Sequence, residues 1–179
     1  MIDPSQIFLE VIGAKFIDPK WSGKPHQAFK NLPNSSKGDA GEEFIKRYVL
    51  ALGFTVEKTE RLGDWDLKIE NKKFEVKLAS EDISGNLQFN HIRYDSKYDY
   101  LLCLGVTPDK LVFGIWKKGE VAEGVAGSLV SMGKNQNSSF KLTKKVSSLE
   151  NISKLKDKLL TILPLPATLQ PANLMSVKV

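Results

Sequence analysis

The pattern of hydrophobic and polar positions in the first half of the chain predicts one helix followed by three strands. Between Ala40 and Leu52 the apolar side chains recur at helical spacing, and Gly53 follows as a stop. Three short apolar-rich segments come next, at residues 54–56, 66–69 and 73–78. Residues 70–72 provide a tight turn, so the last two segments are predicted to form a hairpin.

The second half predicts two further strands and a second helix. Residues 98–106 are apolar almost throughout, which is typical of a central strand covered on both faces. A turn at 107–109 separates this segment from a strand at 111–116. Beyond it we expect loops around a short strand at 140–142. An amphipathic helix follows over residues 149–163, because Ile152, Leu155, Leu159 and Ile162 share one face.

A chain of 179 residues suits one compact core with a terminal extension, so we expect a single domain. Its parts are an N-terminal helix and irregular arm at 1–36, a core at 37–120, and a C-terminal loop, helix and tail at 121–179. No apolar run reaches membrane-spanning length, and the start lacks the features of a secretory signal, so we expect a cytoplasmic protein. The single cysteine, Cys103, lies in an apolar run and is predicted to be a buried thiol.

The charge balance adds weak support for a polyanionic partner. The net charge is +5 and the isoelectric point is near 9.2. Such a charge attracts nucleic acid at modest salt, although many basic proteins never bind it.

The predicted hairpin carries the residues with the clearest chemistry. Side chains alternate between the faces of a strand, so Glu75 and Lys77 share one face, about 7 Å apart. Asp66 begins the neighbouring strand, which brings its carboxylate beside that pair. Two carboxylates and the Val76 carbonyl would offer Mg²⁺ the hard oxygen ligands that it prefers, and a bound Mg²⁺ can activate water for attack on phosphate. Lys77 could stabilise developing negative charge or orient and help deprotonate the water, and the sequence leaves both roles open.

A plainer interpretation of the same triplet is a solvated strand face with a cross-strand ion pair, which is common for Glu-Val-Lys alone. The presence of Asp66 and of an acidic helix before the strands favours the catalytic interpretation. In that helix Asp39, Glu42 and Glu43 are expected in the first turn or two, where the helix dipole favours negative charge.

Asp66, nine residues before Glu75-Val76-Lys77, resembles the motif of PD-(D/E)xK nucleases, which is typical of many type II restriction endonucleases. The resemblance covers about residues 38–116 and departs from the pattern only where Trp65 replaces a loosely kept proline. It implies an α/β restriction-endonuclease-like core, with a mixed central sheet of about five strands flanked by helices. It also implies Mg²⁺ dependence, with Mn²⁺ as a substitute, and products with 5′-phosphates. An acid in the first turn of the preceding helix often joins such sites, and Glu42, which flanks the apolar face, is preferred over Glu43.

The segment after the catalytic strand offers candidate DNA contacts, namely Gln88, Asn90, His91 and Arg93. Amide and guanidinium side chains pair with base edges, and arginine also binds phosphate. The alternative is a short helix that packs through Phe89 and Ile92 while its polar groups are hydrated. The polar run 134–139 also has two interpretations: it is either a loop suited to a DNA groove or plain solvated surface.

The leading functional hypothesis is a Mg²⁺-dependent endonuclease of duplex DNA, acting as a homodimer on a short symmetric site. A cognate DNA methyltransferase acting on the same site would be its partner in a restriction system. A second hypothesis keeps the fold but assigns a structure-selective repair or recombination nuclease, similar to a junction resolvase. A third is a non-catalytic DNA-binding module whose charged strand edge is only an ion pair.

Overall fold

The structure is a computed structural model that describes residues 18–59, 63–93, 96–133 and 139–163. These residues form four helices: α1 (Gln27–Lys30), α2 (Asn34–Ala51), α3 (Lys118–Ala122) and α4 (Leu155–Ile162). They also form nine strands: β1 (Val56–Lys58), β2 (Leu67–Ile69), β3 (Lys72–Ser80), β4 (Asn86–Arg93), β5 (Tyr100–Val106), β6 (Leu111–Lys117), β7 (Leu129–Ser131), β8 (Ser139–Lys145) and β9 (Glu150–Asn151).

The strands form two sheets. The larger has six strands in the order β1-β2-β3-β5-β6-β9, and only the β3–β5 pair is parallel. The smaller is antiparallel, in the order β4-β8-β7. The expectation of a mixed α/β fold is therefore confirmed, with one more strand in the main sheet than expected and a separate small sheet.

The main sheet is covered on both faces. Helices α2 and α4 pack on one face, where Ile45 and Leu159 meet Phe74 and Val76 of β3. The small sheet covers the other face. Strand β5 contributes to both cores and all seven of its residues are buried, as its continuous apolar run predicts. Cys103 is buried in it, also as predicted.

The predicted hairpin between β2 and β3 is present, but its turn has two residues instead of the three expected at 70–72. Ile69 pairs with Lys72, so only Glu70 and Asn71 remain in the turn. Both have positive φ, 45° and 66°. Two-residue hairpin turns of this kind fit the twist of the flanking strands, and asparagine tolerates the left-handed conformation well. The turn therefore fixes which residues of the two strands face each other.

Helix α2 begins at Asn34, so the arm ends at Pro33 instead of residue 36, and the helix start expected at Ala40 is wrong. The added first turns are polar and carry no apolar periodicity, which is why the pattern missed them. Glu42 is consequently in the third turn of the helix, and the prediction that the helix dipole acts on it from the first turn is also wrong.

Gly41 lies in the middle of α2, where glycine normally weakens a helix. A Cβ at this position would lie 3.0 Å from the Leu78 Cδ2 atom of β3. The absence of a side chain therefore lets α2 approach β3 closely, and this approach sets the position of Glu42, the next residue.

Several other boundaries differ from the predictions. The strand expected at 54–56 is β1, at 56–58, and the short strand at 140–142 is the longer β8. The C-terminal helix expected over 149–163 is confirmed only from Leu155, since a short strand and a 3₁₀ turn precede it. The predicted N-terminal helix, residues 134–138 of the polar run and the tail from 164 lie outside the described residues. No helix of the described ranges is long and apolar enough to cross a membrane.

Candidate active site

The β2–β3 hairpin holds Asp66 against strand β3. The backbone N–H of Asp66 donates to the Phe74 carbonyl at 2.9 Å. One oxygen of its side chain, Oδ2, accepts a hydrogen bond from the Val76 N–H at 2.7 Å. The carboxylate is thus fixed at the edge of β3, and its second oxygen is available to another partner.

Glu75 and Lys77 lie on one face of β3, as strand alternation predicts. Lys77 Nζ is 2.5 Å from Glu75 Oε1. The Glu75 side chain is only 2% exposed and that of Lys77 is 19% exposed. The pair is therefore an interior ion pair beside the small sheet, which differs from the solvated strand face of the plainer interpretation.

Burial raises the pKa of Glu75, because a carboxylate charge is poorly solvated there. The positive charge of Lys77 opposes this rise, and the negative charge of Asp66 adds to it. The positive charge of Arg93 also lowers the Glu75 pKa, which places this β4 residue within electrostatic reach of the site. A cation next to Glu75 would stabilise its charged form.

The Val76 carbonyl is directed to the same edge of β3. Strand β2 starts at Leu67, opposite Phe74, so β3 beyond Phe74 has no described strand on that side. The N–H of Val76 faces this edge because it donates to Asp66. In an extended strand the N–H and C=O of one residue point to the same neighbour, so the carbonyl lies there as well.

The Asp66 carboxylate and the Val76 carbonyl lie at the open edge of β3, and Asp66 is close enough to Glu75 to raise its pKa. The two carboxylates and the carbonyl are the oxygen donors that this part of the hairpin offers. This donor set fits Mg²⁺, which binds through one or two carboxylates and keeps several water ligands. Within the described ranges no group of three or more Asp, Glu, His or Cys side chains is arranged to hold a metal. Glu42 consequently does not complete a three-carboxylate site.

A cleft of about 570 Å³ runs along the open edge of β3. Val76 and Lys77 lie on its floor. One wall comes from α1 and the first half of α2, and the opposite wall comes from β4. Val76 and Lys77 therefore border a space large enough for a ligand, whereas Asp66 and Glu75 are not among the residues that line it.

Glu42 lines this cleft, whereas Glu43 forms a surface ion pair with Arg47 at 2.6 Å. The expected difference in orientation between the two glutamates is thus what the structure shows. Glu42 Oε2 is 3.0 Å from Lys58 Nζ, and this hydrogen bond raises the pKa of Lys58. Glu42 therefore borders the site with its charge already neutralised.

The segment from Gln88 to Arg93 is a strand, and the short helix considered for it is wrong. Its apolar residues point into the small sheet's core, and its polar residues point outward. A register shift between Phe89 and Ile92, with φ of 59° at His91, turns two consecutive residues outward. Gln88, Asn90 and His91 consequently line the cleft wall opposite α2.

Sequence reasoning overlooked Lys37, Asn34 and Lys58. Asn34, Lys37 and Gly41 follow one another at spacings of three and four residues, which places them on one helix face with Glu42 at its edge. Recognising the earlier helix start would have revealed this face. Lys58 had no local signal, because its pairing with Glu42 depends on how α2 packs beside β1.

No protein-family model matches this chain, and no curated protein matches it. Among solved structures the chain is similar to a bacterial homing endonuclease, I-Ssp6803I, with a TM-score of 0.43 and 18% sequence identity. The match covers 63% of this chain and 75% of that chain. A similarity at this level is too weak to assign an activity, so the functional assignment depends on the geometry of the hairpin and its cleft.

Proposed function

We propose that this chain is a Mg²⁺-dependent endonuclease that hydrolyses phosphodiester bonds in duplex DNA, as a sequence-specific type II restriction enzyme that leaves 5′-phosphates. The observation that supports the proposal is that Glu75 and Lys77 pair on one strand while the Asp66 carboxylate is held at the edge of that strand, close enough to raise the pKa of Glu75. Phosphodiester hydrolysis needs this combination, because charge accumulates on the phosphate while water attacks it.

In this mechanism Asp66, Glu75 and the Val76 carbonyl would hold Mg²⁺. When bound, the ion stabilises negative charge on the phosphate and makes a water more acidic. The Val76 N–H keeps the Asp66 carboxylate in position without a side-chain rearrangement. Glu75 holds the Lys77 ammonium against the cleft floor, where it can neutralise a phosphate oxygen or orient the attacking water.

The polar character of the β4 wall supports duplex DNA as the substrate. The amide side chains of Gln88 and Asn90 are exposed there, and such groups recognise base edges. Arg93 and His91 are proposed to contribute phosphate and base contacts. One active site cuts one strand, so a homodimer on a two-fold symmetric sequence is the simplest way to cut both. A methyltransferase that protects the same sequence is part of this proposal.

Two other functions would use the same residues differently. A junction-resolvase-like nuclease would keep the metal site and cut only branched DNA. A non-catalytic DNA-binding module would keep only the ion pair, and the 2.5 Å contact between Lys77 and Glu75 is the observation in its favour. The burial of Glu75 speaks against that module, since an ion pair that only solubilises a strand would lie at the surface.

The proposal is tested by incubating the full chain with a long linear phage DNA in Mg²⁺ and sequencing the fragment ends. We expect fixed fragments with 5′-phosphates, and no fragments when a chelator replaces the metal. Cutting restricted to branched substrates would favour the resolvase function. Intact DNA of both kinds after incubation with Mg²⁺ and with Mn²⁺ would contradict the nuclease assignment.

A further inference from the structure

The helical wall of the cleft carries two lysines, Lys30 and Lys37, that lack a carboxylate partner in the described part of the chain. Lys30 donates to the backbone carbonyl of Glu81 at 3.1 Å and lies 5.1 Å from the centre of the Trp21 ring. Lys37 donates to the side-chain oxygen of Asn34 at 3.4 Å and lies 5.8 Å from the centre of the Phe29 ring. Other lysines do pair with carboxylates, among them Lys20, Lys24, Lys58, Lys68 and Lys77.

The two ammonium groups are close enough to affect each other. Burial lowers the pKa of Lys37, and the positive charge of Lys30 lowers it further. Both effects disfavour the charged form of Lys37. An anion bound between the two lysines would offset the repulsion between their ammonium groups and would replace the water that burial removes from Lys37. This part of the wall is therefore suited to a negatively charged group.

Lys30 lies at the end of the cleft away from the candidate metal site, and Lys37 lies between the two ends, on α2 five residues before Glu42. Glu42 forms an ion pair with Lys58. Lys58 lies opposite Leu67 in the sheet, and Leu67 is next to Asp66, so Glu42 lies at the end of the cleft nearest the candidate metal site. Lys30 donates a hydrogen bond to the carbonyl of Glu81, which follows the last residue of β3, so Lys30 lies at the opposite end of the cleft. From Val76 to Ser80 the strand advances about 13 Å, at about 3.3 Å per residue.

This separation is larger than one nucleotide step. A DNA strand advances about 3.4 Å along the duplex axis per nucleotide, so a cation at the Lys30 end would meet a phosphate a few nucleotides from the one being cut. The opposite wall presents amides and an imidazole instead of cations, and Asp82 lines the cleft at its Lys30 end, where its Oδ1 accepts from the backbone N–H groups of Ser84 and Asn86. The helical wall therefore suits the phosphates of a DNA strand, and the β4 wall suits the base edges.

We propose that Lys30 and Lys37 form a second phosphate subsite, which holds the DNA backbone a few nucleotides from the scissile bond while the β4 wall faces the bases. The inference rests on the proposed nuclease function and adds the position and polarity of the bound strand. The subsite contributes to binding and register, and takes no part in the chemical step.

Lys37 is the better test residue, because Lys30 also anchors the arm through Glu81. Binding of a short fluorescein-labelled duplex of mixed sequence is measured by anisotropy across a series of salt concentrations, without divalent cations. For Lys37→Ala we expect weaker binding by about tenfold and a slope of log Kd against log salt that is lower by about 0.9, the value for one lost phosphate contact.

Two variants control for folding and for a diffuse charge effect. Lys37→Arg keeps the charge and should retain the wild-type slope. Arg47→Ala removes one positive charge from the same helix at an exposed position outside the cleft, where Arg47 pairs with Glu43, so it should leave the slope unchanged. An unchanged slope in Lys37→Ala, or an equal decrease in Arg47→Ala, would overturn the subsite. Failure of the proposed function is distinguishable, because it appears as a wild-type protein that binds DNA and never cuts it.

Discussion

Replacing Glu75 with glutamine should lower the rate of Mg²⁺-dependent DNA cleavage by at least about a thousandfold, which corresponds to a loss of about 4 kcal/mol of transition-state stabilisation. Glutamine keeps the size of the side chain but removes the charge that a divalent cation requires at this buried position. The rate is measured under single-turnover conditions with saturating enzyme and Mg²⁺. Metal-free DNA binding should be unchanged or tighter, because one negative charge near the phosphates is gone.

The matched control is Glu57→Gln. Glu57 lies on β1 of the same sheet and pairs with Lys68 at 3.2 Å, but its side chain is 68% exposed and far less constrained. This variant removes the same charge from a strand ion pair and should cleave at the wild-type rate. If both variants cleave normally, Glu75 is a structural partner of Lys77 and the metal-site assignment is wrong.

Replacing Lys77 with methionine should lower the single-turnover rate by about a hundredfold to a thousandfold, with little change in DNA affinity. Methionine keeps most of the apolar stem and removes the ammonium group that faces the cleft. A fixed positive charge near the reacting phosphate acts mainly in the transition state, which is why the rate should fall and the Kd should not. Both quantities are measured on the same DNA fragment at saturating Mg²⁺.

Lys68→Met is the corresponding control, since Lys68 is the partner of Glu57 on the neighbouring strand β2. It should keep full activity. A Lys77→Met protein that cuts at the wild-type rate would remove the lysine from the mechanism. A variant that cuts at a normal rate but binds DNA much more weakly would assign Lys77 to substrate binding instead.

The hairpin and its three charged residues were predictable from sequence because every signal that sets them is local. Alternation places Glu75 and Lys77 on one face, and the two-residue turn at Glu70 and Asn71 fixes the register that brings Asp66 beside them. The same reasoning could not predict that Glu75 is almost fully buried. That burial depends on the small sheet, which packs against this face of β3.

The small sheet itself was not predicted because its main pairing is distant in sequence. Strand β4 pairs with β8, so Gln88 lies opposite Thr143. A strand whose partner lies more than fifty residues away gives no local turn signal, and its outward polar residues were equally consistent with a short helix. The cleft walls, and with them the roles proposed for Lys37 and Asn90, follow from this long-range packing.

The helix start at Asn34 was missed for a different reason. Residues 34–39 are polar, so they show no apolar periodicity that would predict a helix, although the preceding Pro33 is compatible with a helix boundary. These polar turns form part of the cleft wall. At this site the sequence pattern was weakest where the side chains face the cleft instead of the core.

The central claim is that Asp66, Glu75 and the Val76 carbonyl hold a divalent cation at the open edge of β3. An anomalous difference map from crystals soaked in Mn²⁺ measures this directly. We expect one strong peak within about 2.2 Å of an oxygen from each of these three residues, as octahedral oxygen coordination requires. A map without a peak there at saturating Mn²⁺, or side chains of Asp66 and Glu75 that point away from each other, would contradict the account.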